Sequence, residues 1–100
     1  VAAFAFDAVL WRIPEEAGWH FITLPVELAA DLREETAQLR KGFGSIKVTA
    51  TVASTSWSTS VFPDSKSGSY LLPVKKAVRT ATGIHSGDTV SVHLEVDAGI

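Results

Sequence analysis

Residues 45–62, SIKVTATVASTSWSTSVF, decide how this chain folds. Apolar side chains fall at every second position, Ile46, Val48, Ala50 and Val52, with Lys47, Thr49 and Thr51 between them. Successive side chains on a strand point to opposite faces, so this period of two predicts a strand over 45–52 with one wet and one buried face. The polar run ASTS turns the chain. The β-branched and aromatic content of WSTSVF, residues 57–62, predicts its return as another strand.

The same alternation appears toward both ends. In residues 89–96, TVSVHLEV, Val90, Val92, Leu94 and Val96 take one face, and Ser91, His93 and Glu95 the other. In residues 3–12, Phe4, Phe6, Ala8 and Leu10 point one way, while Val9 and Trp11 give the second face some apolar character. Pro14 and Gly18 set a turn, and WHFITL at 19–24 reads as a second strand ending at Pro25. The period then changes. Leu28, Ala29, Leu32 and Leu39 share the face of a helix opened by Pro25, with acids early and Arg40 and Lys41 late, although EETAQ is a weak continuation after Arg33. KGFG at 41–44 ends that segment, and PDSKSGS at 63–69 reads as a flexible loop. YLLP is a short strand running into a second helix over 73–82. That helix is opened by Pro73, closed by Gly83 and predicted to bury Val74, Ala77, Val78 and Ala81. Six short strands and two short helices without βαβ alternation predict a mainly β protein, a small closed or partly open β-barrel.

A chain of 100 residues has room for one core, so a single domain over 1–100 is expected. Nine basic against 11 acidic residues argue against a general nucleic-acid coat, whose affinity comes from many Lys and Arg contacts to phosphates. With no cysteine, disulfides, thiol nucleophiles and Cys-based zinc sites are excluded, which fits a cytoplasmic location. No apolar run nears the ~20 residues of a membrane-spanning helix, and VAAFAFDAVLW, interrupted by Asp7, is a better strand than signal peptide. The absence of methionine points to a trimmed start.

Taken together, GWHFITLP at 18–25, TSWSTSVFP at 55–63, GSYLLPVKKAVR at 68–79 and GDTVSVHL at 87–94 resemble a bacterial family, domain of unknown function 1905. The resemblance covers nearly the whole chain. It implies a small β-barrel related to the double-psi type and carries no established activity. Residues 71–96 alone are also similar, in order of elements, to the swapped-hairpin DNA-binding domains of bacterial transition-state regulators. That likeness is one of topology and not of function.

The one feature that folding does not absorb is basic. On the second helix Lys75, Lys76 and Arg79 project together, at spacings where like charges cost on the order of 0.2–0.5 kcal/mol per pair. Lysines in a first turn oppose the helix dipole, and the expected N-cap, Leu72, has no capping side chain. An anionic small ligand or acidic partner at this point would relieve these costs. Water, or a loop acid such as Asp64, would do the same. A second candidate is a small enzyme with its pocket in a groove lined by Trp57, Ser60 and Tyr70, weighed against Trp57 packing in the core and the alternating Ser and Thr marking a solvent face. A third is a purely structural or interaction domain. Trp11 and Trp19 are expected in core or edge packing, and an exposed one would favour a partner surface.

No metal site, cofactor or catalytic residue is expected. His20, His85 and His93 are far apart, His93 and Glu95 read as a surface ion pair, and GxSxG is absent. The paired acids Glu15–Glu16 and Glu34–Glu35 read as solvated charge.

Overall fold

Every second apolar side chain of the alternating segments turns inward, and the strands close on one another around that common face. A computed structural model describes residues 3–14, 18–37 and 44–97. Six strands, β1 (Ala3–Arg12), β2 (His20–Thr23), β3 (Ile46–Val52), β4 (Thr55–Asp64), β5 (Ser69–Pro73) and β6 (Thr89–Val96), form a closed barrel in the order β1-β2-β5-β4-β3-β6. Helix α1 (Val26–Glu35) joins β2 to β3, and α2 (Lys76–Thr82) joins β5 to β6. All six ladders are antiparallel. β1 belongs to two of them: Ala3 to Val9 lie opposite β6, and Leu10 to Arg12 lie opposite β2. Closure leaves no long unpaired edge of the kind that invites other strands.

β3 and β6 bury the faces their alternation predicts, Ile46, Val48, Ala50 and Val52 against Val90, Val92, Leu94 and Val96. Leu10, Ile22, Val61 and Leu72 complete the interior, and Ala29 and Leu32 bring the buried stripe of α1 onto it. Fully burying a Leu, Ile or Val contributes about 1.5–3 kcal/mol each, so the barrel interior is the main source of stability. Ser69 is buried because its hydroxyl donates to the Leu24 carbonyl at 2.7 Å, joining the start of β5 to the segment that leads into α1.

Three boundaries differ from the sequence reading. β4 runs from Thr55 to Asp64, so Pro63 lies in a strand, opposite Tyr70, and not in a loop. The turn is confined to 65–68, where Asp64 accepts from the Ser67 and Gly68 backbone N–H groups. α1 continues to Glu35 with Thr36 as C-cap, while Leu39, Arg40 and Lys41 lie outside the described residues. α2 starts at Lys76, three residues after Pro73. That proline is the last residue of β5, opposite Phe21, and the fixed φ that suits a helix start suits a strand end equally. The shorter helix buries Val78, while Ala77 and Ala81 of the expected stripe are exposed. Gly83 closes it at φ +70°, the left-handed conformation that glycine adopts without a Cβ penalty.

Ala53, in the turn between β3 and β4, has φ +54° and is the one described non-glycine residue at positive φ. Tight hairpins of this hand favour Gly, Asn or Asp there. A left-handed conformation costs a residue with a Cβ roughly 1–2 kcal/mol, against about 0.4–1 kcal/mol of extra unfolded-state entropy for glycine. Ala53→Gly is therefore expected to raise the melting temperature by a few degrees. A fall in thermal unfolding measurements would contradict this account of the turn.

Candidate functional site

Two strand ends and one helix start meet where β2 begins and β5 finishes. Val74 donates its backbone N–H to the His20 carbonyl at 3.0 Å, so the chain leaving β5 stays against β2 before it turns into α2. Lys75 is the N-cap of α2 and makes no side-chain capping bond, and Val78 and Arg79 donate their N–H groups to its carbonyl. The absence of a side-chain cap agrees with the sequence, but the capping position is Lys75 and not Leu72, which is a fully buried core residue of β5. Asp64 is committed to its own turn through the Ser67 N–H.

Arg79 is held in place. Its Nε donates to the Val74 carbonyl at 3.3 Å and its Nη2 to the Gly18 carbonyl at 3.2 Å. His20 Nδ1 also lies 3.2 Å from the Gly18 oxygen, so in the Nδ1–H tautomer two donors converge on one carbonyl. A guanidinium has five N–H groups, and these two bonds leave three for another acceptor. Both partners are neutral, so the positive charge of Arg79 is not cancelled by them.

Beside Arg79 is an open pocket of about 360 Å³, lined by Gly18, Trp19, His20, Phe21, Pro73, Val74, Lys75, Lys76 and Arg79. All three cations singled out in the sequence meet in it, and among the described residues no acid belongs to the lining. Residues 6–94 of the chain match the family described as domain of unknown function (DUF1905).

The chain belongs to the DUF1905 family.

The match runs from within β1 to within β6, so the whole pocket lies inside the DUF1905 region. No curated protein shows significant similarity to the chain.

The sequence reading missed the aromatic wall of this DUF1905 pocket. Trp19 is 55% exposed, and its backbone carbonyl accepts from the Ile13 N–H at 3.1 Å. Its ring leans on Phe21, with centroids 6.1 Å apart, and Phe21 in turn lies 5.3 Å from Trp11. Trp11 is half-buried and donates its indole N–H to Thr23 Oγ1 at 2.9 Å. Phe21 is buried yet stands apart from the barrel core cluster, so this row covers the outer face of β1 and β2. The available signal was the close run of Trp19, Phe21 and the buried Ile22 at the start of β2, which is too apolar for a strand with a single buried face.

The other candidates are dispersed. Trp57 and Tyr70 are 8% and 1% exposed and belong to the core, and Ser60 is half-buried on β4 opposite Lys47, so this trio gains no open face from the fold. The Tyr70 ring is covered by the Arg33 guanidinium, 5.5 Å from its centroid. His93 lies opposite Ala5 and Thr51, and among the described residues the histidine–carboxylate contact found is His85–Asp88, at 3.8 Å, rather than His93–Glu95. Glu15 and Glu16 lie outside the described residues. Among the described residues no three His, Asp or Glu side chains converge as a metal site, and no helix is long and apolar enough to cross a membrane.

Proposed function

We propose that this DUF1905 chain is a binding module that takes a small anionic ligand in the pocket between the start of β2 and the start of α2. The observation that carries the reading is the meeting of Lys75, Lys76 and Arg79 around one concavity. A cation cluster costs stability when it stands alone, and an anion in its midst offsets that cost. The guanidinium of Arg79 supplies directed donors, while the two lysines act as mobile point charges that adapt to the shape of a phosphate or carboxylate.

Trp19 is a built-in reporter, since it lines the pocket and is largely in water. Titration with inorganic phosphate, sugar phosphates, nucleotides and short DNA, followed by tryptophan fluorescence, tests the reading. Small anions are expected to bind with dissociation constants on the order of 0.1–1 mM at low salt, weakening as salt rises. No response to any of these anions in low salt would end the proposal. Saturation by DNA with none by the small anions would replace it with a nucleic-acid interface.

A further inference from the structure

We propose that the ligand is a planar aromatic anion, its ring lying on Trp19 and its phosphate or carboxylate held by Lys75, Lys76 and Arg79. This rests on the anion site proposed above and adds to it a second recognition element. The cations alone would serve any anion. What they do not account for is a largely exposed tryptophan lining the same pocket.

Trp19 is not exposed for want of anchoring, because its carbonyl is bonded to Ile13 and its ring is backed by Phe21. Beyond Phe21 stands Trp11, so the three rings form a row whose outermost member has a free surface. Nor do the neighbouring cations use that surface. Among the described residues the cation–π contact is Arg33 over Tyr70, on another part of the barrel. Ring and cations thus line one pocket without stacking on each other, the ring suited to an apolar plane and the cations to negative charge. The volume, about 360 Å³, lies in the range of roughly 300–1,000 Å³ typical of small-molecule sites. A sugar phosphate or free phosphate would satisfy the cations and leave the indole face in water. An aryl phosphate or a nucleoside monophosphate would use both.

Calorimetric titration of five compounds separates the two claims: AMP, phenyl phosphate, ribose 5-phosphate, inorganic phosphate and adenosine. AMP is expected to bind about tenfold more tightly than ribose 5-phosphate, and phenyl phosphate likewise against inorganic phosphate, the gain that one ring stacked on an aromatic side chain provides. Trp19→Ala should erase that gap and leave the affinity for inorganic phosphate unchanged. Trp19→Phe should restore most of it, which a general disturbance of the fold would not. Equal affinity for ring-bearing and ringless phosphates overturns the aromatic class and leaves the anion site standing. Adenosine binding as tightly as AMP overturns the anionic half, and the site above with it. Binding of none of the five overturns both.

Discussion

Tyr70→Ala should remove about 3–5 kcal/mol of stability, the cost of truncating a buried aromatic side chain. Domains of this kind are stable by about 5–15 kcal/mol in total, so much of the reserve goes with one ring. Tyr70 is the largest fully buried side chain described. It stands on β5, opposite Pro63 of β4, and its backbone carbonyl accepts from the Leu24 N–H at 3.0 Å. Removing the ring opens a void between the β4–β5 ladder and α1 and strips Arg33 of the face on which its guanidinium rests. With about 4–8 °C lost per kcal/mol in a domain of this size, a fall of roughly 15–30 °C in melting temperature is expected. Tyr70→Phe keeps the packing and should stay close to the parent in thermal and urea unfolding. Were Tyr70 instead lining a ligand groove, Tyr70→Ala would change stability by less than about 1 kcal/mol, as exposed positions do.

The second large effect is on affinity. Replacing Lys75, Lys76 and Arg79 together by alanine is expected to weaken binding of inorganic phosphate at least about 100-fold, because each hydrogen bond to a charged group contributes roughly 1.5–3 kcal/mol. Stability divides these residues differently. Lys75 and Lys76 are exposed and oppose the dipole of α2, so Lys75→Ala/Lys76→Ala should hold or slightly raise the melting temperature. Arg79 also ties α2 to Gly18 and Val74, and its loss should cost about 1 kcal/mol. A double lysine variant that folds as well as the parent and binds phosphate much less tightly supports the site. Unchanged phosphate affinity in the triple variant would remove it.

What the sequence made legible depended on how far local pattern and tertiary demand agreed. The period of two in SIKVTATV and TVSVHLEV survives because each strand has neighbours on both sides and one face in the barrel. PVKKAVR misled because proline's fixed φ fits both a first helical turn and a strand end, and only the pairing of Pro73 with Phe21 decides between them. Ala77 and Ala81 fit a buried helical stripe, but a two-turn helix with one buried residue has little stripe to fill. The three cations were legible as a cluster because they are close in sequence. Their tryptophan partner was not, because Gly18 and Arg79 are brought together only by the pairing of β2 with β5.

The division of β1 between two partners also bears on the order of folding. β3 and β4 are joined by two residues, so their ladder forms at little entropic cost. The seam between β1 and β6 pairs Ala3 with Glu95 and Val9 with Thr89, the most distant strand pairing in sequence among the described residues. Loop-closure entropy must be met there before any reward is collected, which makes this ladder a late event and folding slow for a chain of this length. The Gly18 pocket does not wait for that seam: Ile13 and Trp19 meet across the local β1–β2 hairpin, and the pocket takes shape once β2 pairs with β5.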